Sequence, residues 1–217
     1  MGIGKKGFTL VEIIVSLAIM TIVAGAVGAF VIAGNNSYMR GNKELTLQEE
    51  AQLTANQMID LIIDVEKGIS FSNLTDQEAV DVDGNVAKDV NGMEVTNASV
   101  SELRLINNDN SYMIRWQGGA GADYADANQV YLYEVTNTKD GEGKVVVGDF
   151  DAAKPALMAE HVSSFSVDLS ELDKRKVVLN MTFTYQDKSY EISETIKLRN
   201  DLSSEPSRIY SWISGIR

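Results

Sequence analysis

Residues 8–33 read FTLVEIIVSLAIMTIVAGAVGAFVIA, and Glu12 is the only charged side chain in these 26 residues. At about 1.5 Å per residue, a helix over this stretch is roughly 39 Å long, enough to cross a hydrocarbon core about 30 Å thick. A secretory signal peptide has a shorter apolar core of about 7 to 15 residues and a small-residue cleavage site, and this segment has neither. The sequence therefore predicts a membrane-spanning helix that stays in the mature protein.

The charges on either side of this segment predict its orientation. Lys5 and Lys6 lie just before it, whereas Arg40 and Lys43 lie further from its other end and are followed by Glu44. Because basic residues near a span favour the cytoplasmic side, we expect a cytoplasmic N-terminus and an acidic portion outside.

The composition excludes several classes of protein. The chain of 217 residues has 31 acidic against 19 basic side chains and no cysteine. Disulfide frameworks, cysteine-based zinc sites and thiol catalysis are therefore excluded. The acidic balance argues against sequence-independent binding of nucleic acid, whose phosphates need a positive surface.

Glu12 is the residue that a simple membrane anchor does not explain. An acidic side chain inside a span costs on the order of 2.5 to 3.5 kcal/mol. One interpretation is that the carboxylate extends to the membrane interface, since it lies near the end of the apolar run. The other requires a cation at the same depth. No Lys, Arg or His lies in residues 8–33, so the cation would be a newly formed α-amine or a charge on another chain.

The stretch Lys5-Lys6-Gly7-Phe8-Thr9-Leu10-Val11-Glu12, followed by the apolar segment, resembles the leader and cleavage site of type IV prepilins. The resemblance implies that prepilin peptidase cuts between Gly7 and Phe8 and that the new Phe8 amine is N-methylated. It also implies that Glu12 faces the Phe8 amine of a neighbouring subunit. A buried charge pair is costly when half made, so it could set the axial register during assembly.

The sequence departs from the family pattern in one respect. Many type IV pilins carry a proline within the membrane helix, whereas the first proline here is Pro155. Gly25 and Gly28 are open to two interpretations. They could loosen the helix, since each glycine costs roughly 1 kcal/mol relative to alanine, or they could allow close packing of helices together with Ala24 and Ala29.

Beyond the apolar segment, the pattern predicts that the helix continues. Residues 34–68 form an amphipathic extension whose apolar positions recur at spacings of three, four and seven. These positions are Leu47, Ala51, Met58, Leu61, Ile62 and Val65. One helix of about 50 residues from Phe8 follows, and its outer half needs a second layer to cover the apolar stripe.

The C-terminal half predicts an antiparallel sheet. Residues 177–185 alternate between apolar and polar, and a turn at Gln186-Asp187 leads to a second alternating segment over 190–198, so the two form a hairpin. Glu194 interrupts the alternation and suggests a bulge or the sheet rim. Less regular strands are predicted at Leu103–Ile106, Tyr112–Trp116, Val130–Val135, Val145–Val147 and Phe165–Leu169. We expect an antiparallel meander, with Tyr112, Trp116, Tyr131 and Tyr133 in sheet packing.

The remaining segments are predicted to be connections. Residues 69–100 have few large apolar side chains and contain two similar units, Asp81-Val-Asp-Gly84 and Asp89-Val-Asn-Gly92, each turning at its glycine. The segment 201–217, with Pro206 and Trp212, follows the last strand as a tail. The predicted organisation is a leader at 1–7, a membrane and filament-core helix at 8–33, the extension at 34–68, the connection at 69–100, an antiparallel β head at 101–200 and this tail.

Motifs for catalysis, cofactors or metals are weak. His161 is a lone histidine without a triad-like pattern, and the stretch Gly118-Gly119-Ala120-Gly121 lacks the lysine and helix of a phosphate loop. Asp81-Val-Asp-Gly84 lacks the ligand spacing of a calcium-binding EF-hand loop. The basic run Lys174-Arg175-Lys176 fits a solvated turn better than a site for DNA or another anion. We expect no enzymatic activity, no cofactor and no metal.

The sequence thus predicts an α+β protein in which a long N-terminal helix, transmembrane in its first half, packs on an antiparallel β head. By the resemblance, it is a minor pilin or pseudopilin of a type IV pilus-like filament for adhesion, motility, secretion or DNA uptake. The stretch Leu198-Arg199-Asn200 after the last strand is similar to the PilW or ComGF kind.

Its expected partners are other pilin subunits, prepilin peptidase, the assembly machinery and, before assembly, the membrane. Nucleic acid is a partner only of a DNA-uptake filament. We expect the subunit in the cytoplasmic membrane before assembly and in an extracellular filament afterwards. The alternative is a single-pass surface binding protein that never polymerises.

Overall fold

The computed structural model describes residues 7–89, 91–96, 98–118 and 127–202. The predicted leader up to Lys6, the glycine-rich loop beyond Gly118 and residues 203–217 of the predicted tail lie outside the described residues. The chain divides into two compact units, Met1–Leu45 and Thr46–Arg217.

Helix α1 extends over Leu10–Ile63 and has 54 residues. Its length agrees with the prediction, but it ends at Ile63 rather than continuing to residue 68. Residues 199 and 200 account for this end. The backbone N–H of Arg199 donates to the carbonyl of Ile63 at 3.0 Å, and the Asn200 amide donates to the carbonyl of Val65 at 2.9 Å. These bonds satisfy carbonyls at the helix terminus that have no intrahelical partner.

Within the residues that the structure describes, ten strands follow, arranged in three antiparallel sheets. The largest sheet has the order β1-β2-β3-β4-β7, with strands at Gly68–Gln77, Ala98–Ile106, Asn110–Gly118, Gln129–Thr136 and Ala156–Ala159. The second has the order β10-β9-β8, with β8 at Val162–Asp168, β9 at Lys176–Tyr185 and β10 at Lys188–Lys197. The third pairs β5 at Thr138–Lys139 with β6 at Val145–Val146, and 3-10 turns lie at Phe150–Ala152 and Leu172–Lys174. The α+β architecture is confirmed.

The main core lies between the outer half of α1 and the two larger sheets. The helix contributes one face, buried to 2% exposure or less, made of Leu47, Ala51, Ala55, Met58 and Ile62. Alternate residues of the strands complete the core, among them Leu103, Leu105, Ile114, Phe165, Leu179, Met181 and Phe183. The apolar stripe predicted on the helix is therefore its buried face. The two larger sheets are the second layer that an amphipathic helix needs to cover this face.

The opposite face of the five-stranded sheet carries a second, smaller cluster. Met113, Tyr131, Tyr133 and Val135 pack there with Phe150. Tyr112 and Trp116 lie on the main-core side instead, and the Trp116 indole N–H donates to the carbonyl of Val162 at 2.6 Å. The four aromatic residues predicted to pack on the sheet do so, divided between its two faces.

Part of the predicted connection at 69–100 is wrong, because residues 68–77 form strand β1. Polar residues dominate this strand, and only Ile69, Phe71 and Leu74 supply large apolar side chains. As the outermost strand of its sheet, β1 pairs with β2 alone among the described strands. An edge strand needs fewer apolar residues than a central one, so the pattern was too weak to predict it.

The C-terminal hairpin agrees with the prediction, and of the two interpretations of Glu194 the sheet rim is confirmed and the bulge is wrong. Tyr185 pairs with Lys188 across the two-residue turn, and the register then continues without interruption to Lys197 and Lys176. Glu194 stays in register opposite Leu179 and is exposed. Because β10 is an outermost strand, a charged residue on it keeps other strands from pairing there.

Three turns of the head have the same hydrogen-bond pattern. In each, an Asp carboxylate oxygen accepts the backbone N–H groups two and four residues ahead, and a glycine with φ between 77° and 84° closes the turn. The aspartates are Asp81, Asp89 and Asp140. These bonds lower the pKa of Asp81 and Asp89, because they favour the charged form. The first two turns were predicted, and the third was missed.

Candidate assembly site

The start of α1 is a reciprocal capping box made by Thr9 and Glu12. The Thr9 N–H and hydroxyl donate to Oε2 of Glu12 at 2.8 and 2.9 Å, and the Glu12 N–H donates to the Thr9 hydroxyl at 3.3 Å. This arrangement satisfies backbone donors that a helix terminus otherwise leaves without partners. The pattern Thr-x-x-Glu was visible in the sequence, but the prediction assigned Glu12 only to pairing between chains.

The capping box leaves part of the Glu12 carboxylate available. In the described part of the chain, both hydrogen bonds to this side chain end on Oε2, and none ends on Oε1. Phe8, one residue before the box, is 84% exposed. Gly7 and Phe8 precede the helix, and the space around Gly7 is open to 4 Å. The geometry therefore places the Gly7–Phe8 peptide bond outside the helix and a carboxylate oxygen free within the first turn.

The surface from Phe8 to Ala33 is apolar and uncovered in the single chain. Its large hydrophobic side chains are at least 50% exposed, including Leu10, Ile13, Leu17, Ile22, Phe30 and Ile32. Two polar side chains here bond to the helix backbone: Ser16 donates to the carbonyl of Glu12 at 2.7 Å and Thr21 to that of Ala18 at 2.8 Å. They add little polarity, because their hydroxyl groups are already satisfied. A contiguous apolar surface of this kind needs lipid or other helices to cover it.

By length and composition, α1 contains a stretch that can cross a membrane. Its glycines at 25 and 28 lie within unbroken helix, and no described side chain comes within 4 Å of either. Both interpretations of these glycines, loosening and close packing between chains, stay predictions.

His161 and the basic run at 174–176, which the sequence offered as candidate functional residues, make contacts within the head. Nδ1 of His161 lies 2.8 Å from Oε2 of Glu50, and the Glu160 N–H donates to Oε1 at 2.6 Å, so one helix side chain holds the link between β7 and β8. Lys174 and Lys176 both pair with Glu171, at 2.6 and 3.5 Å. The basic run is thus partly neutralised within its own turn.

Sequence reasoning missed a buried ionic cluster on the sheet. Glu102, whose side chain is 5% exposed, accepts from Arg104 at 2.7 Å and lies 3.9 Å from Arg115. Burial raises the pKa of the neighbouring Tyr133 phenol to about 12. The spacing of Glu102 and Arg104, two residues apart in a strand, was the available signal that they share a face.

Comparison with known proteins gives one match, at the N-terminal end. Residues 4–28 match the family described as the prokaryotic N-terminal methylation motif. No curated protein and no solved structure matches the chain significantly. The motif and the apolar helix together support a type IV pilin-like protein whose N-terminal segment fits membrane anchoring. This motif is typical of structural, non-enzymatic proteins that prepilin peptidase processes and that assemble with other pilin subunits.

Proposed function

We propose that the protein is a structural subunit, a minor pilin or pseudopilin, of a type IV pilus-like filament used for adhesion, motility, secretion or DNA uptake. The observation that carries this proposal is the uncovered apolar surface of residues 8–33, which overlaps a methylation motif and contains a single carboxylate. The subtype rests on the resemblance of the stretch Leu198-Arg199-Asn200 to the PilW or ComGF kind.

Processing prepares the chain for assembly in this proposal. Prepilin peptidase cuts the exposed bond between Gly7 and Phe8, and the freed Phe8 amine is N-methylated. The amine then lies at the N-terminal end of a helix, where the macrodipole makes a positive charge unfavourable. A carboxylate from a neighbouring subunit relieves this cost.

Glu12 supplies that carboxylate. Its Oε2 stays in the capping box with Thr9, and Oε1, which accepts no hydrogen bond from the described residues, meets the Phe8 amine of the next subunit. One side chain thus stabilises the helix start and pairs with another chain. Transfer from lipid to the filament keeps the apolar surface covered, with neighbouring helices replacing acyl chains.

The location follows from the same steps. Before assembly the subunit lies in the cytoplasmic membrane with its N-terminus in the cytoplasm, and afterwards it lies in an extracellular filament that displays the β head. Its partners are other pilin subunits, prepilin peptidase and the assembly machinery.

Two substitutions separate the charge of Glu12 from its capping role. Glu12→Gln removes the charge but keeps an oxygen for the capping box, which accepts glutamine as well as glutamate. We expect its incorporation into sheared filaments to fall at least about tenfold, because a half-made buried charge pair costs several kcal/mol. Thr9→Val removes the hydroxyl but keeps the charge, and incorporation should change little. Immunoblots of filament and membrane fractions measure both.

Membrane insertion of the two variants is the control, and it should equal that of the unaltered chain. Unchanged incorporation of Glu12→Gln would refute the charge pairing. A loss of incorporation in Thr9→Val, with none in Glu12→Gln, would show that the helix cap matters rather than the charge.

A single-pass surface protein that never polymerises is the second candidate. The capping box favours it, since Thr9 already gives Glu12 two hydrogen bonds within one chain. The two candidates differ in their products. Crosslinking of native cells should give a ladder of subunits if the protein polymerises, and single chains if it is an anchor.

A further inference from the structure

The two ten-residue edge strands of the head differ in their protection against pairing with other chains. In the described part of the chain, β1 pairs only with β2, and β10 pairs only with β9. β10 carries four charged residues at positions 188, 191, 194 and 197, whereas β1 carries one, Asp76, close to its end. Charged residues and prolines normally protect a sheet edge, and residues 68–75 contain neither. β1 is therefore open to a further strand.

A cleft of about 490 Å³ lies along this strand. Ile69, Ser70, Phe71 and Ser72 all line it. Ser70 pairs with Arg104 and Ser72 with Glu102, and all four residues line the cleft, so the cleft lies over this face of the sheet, beside the edge strand β1. The opposite wall comes from residues 143–151, including Phe150. The volume is within the range of ligand sites, about 300 to 1,000 Å³.

The charge of the cleft is opposite to that of the chain. Lys67, Arg104, Lys139 and Lys144 line it, although the chain has a net charge of −12. The three lysines are exposed, and none takes part in a salt bridge within the described residues.

Three carboxylates line the cleft: Glu102, Asp149 and Asp151. Glu102 is paired with Arg104 at 2.7 Å, and Asp149 accepts the backbone N–H of Asp151 at 3.0 Å. Asp149 and Asp151 keep their charges, so the three unpaired lysines exceed the remaining carboxylates by one and leave the cleft with a net positive charge.

We propose that this cleft binds an extended acidic peptide segment of another protein, which adds a strand to the edge of β1. The backbone of the peptide pairs with the outward N–H and C=O groups of β1, and alternate side chains enter the cleft. Acidic side chains of the peptide lie near Lys67, Lys139 and Lys144, which gives the site its preference for negative charge. The proposal is independent of filament assembly, because it uses only residues of the head.

The test uses the full chain in detergent micelles and a fluorescein-labelled peptide that alternates Glu with Val over seven residues. Fluorescence anisotropy at low salt should show saturable binding that weakens as salt is added, since the lysines are exposed. A peptide with Lys in place of Glu should bind at least about tenfold more weakly. A peptide with Pro at its centre should also lose about tenfold, because proline cannot donate the backbone hydrogen bond.

Charge reversals on the protein locate the site. Lys139→Glu and Lys144→Glu should each weaken binding about fivefold, as expected for an exposed charge at the rim of a site. Lys197→Glu, on the edge of the other sheet, makes the same change of charge and should leave binding unaltered. Circular dichroism confirms that all three variants are folded.

Three results would overturn the proposal. The first is that the Glu peptide does not bind, and the second is that Lys197→Glu weakens binding as much as Lys144→Glu. The third is that the Pro peptide binds as well as the Glu peptide and that an oligogalacturonate displaces both. That result would make the cleft a site for small carboxylates, with no strand addition.

Discussion

The two parts of α1 differ in what covers them, although the helix is continuous. From Leu10 to Leu45 no side chain is buried, and up to Ala33 the surface is apolar nearly all round. From Thr46 to Ile63 a single face is buried to 2% exposure or less, and the rest is polar or partly exposed. An all-round apolar helix needs lipid or other helices, whereas a striped helix needs one layer of its own domain. The length and regularity of a helix therefore indicate little about its function. The distribution of polar residues around its axis indicates what has to cover it.

The largest effect expected from this comparison is on the stability of the head. Ile62 is fully buried in the second part of α1, and Ile32 is 64% exposed in the first. Ile62→Ala should lower the free energy of unfolding by about 2 to 5 kcal/mol, because it leaves a cavity. Ile32→Ala should change it by less than about 0.5 kcal/mol. Denaturant unfolding of the full chain in micelles, followed by circular dichroism, measures both. Equal losses would mean that the first part is also packed within the single chain.

A smaller effect is expected at Glu50, where the helix contacts the link between β7 and β8. Glu50→Ala removes the acceptor of the Glu160 N–H and the partner of His161. The free energy of unfolding should fall by about 1 to 3 kcal/mol, the cost of leaving such groups without partners. Glu49→Ala, at the exposed neighbouring position, is the matched control and should have almost no effect. If the two variants are equally stable, the Glu50 contact does not stabilise the head.

The smallest effect concerns glycines, whose roles also differ between the two regions. Gly143 in the head has a φ of 77°, so Gly143→Ala should cost about 1 kcal/mol of unfolding free energy. Gly141→Ala, in the same turn and with open space around it, should cost less. Gly28→Ala, in the exposed helix, should not destabilise the single chain. Thermal unfolding compares the three. A loss at Gly28 larger than that at Gly143 would contradict the comparison.

Sequence reasoning predicted the regular elements well and the weak ones poorly. The helix and the hairpin of β9 and β10 have strong periodicity because each buries one face of a long element. β1 and β7 are edge strands with few large apolar residues, so they carry little pattern. The separation into two sheets depends on contacts between distant residues, such as Phe71 and Phe165, whose ring centroids are 5.7 Å apart. Such pairings have no local signature.

The sequence could predict those parts of the candidate site that lie close together along the chain. The basic leader, the bond before Phe8 and the lone Glu12 are adjacent in sequence, so a short motif could identify them. The double role that we propose for Glu12 required the geometry of the first helical turn, in which the described residues bond to only one carboxylate oxygen. The basic cleft beside β1 brings together Lys67, Arg104 and Lys144 from separate segments, and no spacing in the sequence links them.

The central claim is that the exposed part of α1 belongs to a processed chain that assembles through its new terminus. Intact-mass measurement and N-terminal sequencing of the protein from native membranes and sheared filaments test it most directly. The account predicts a chain that begins at Phe8 and carries one additional methyl group on its amine. A chain that still begins at Met1, or one cut after the apolar stretch, would contradict it.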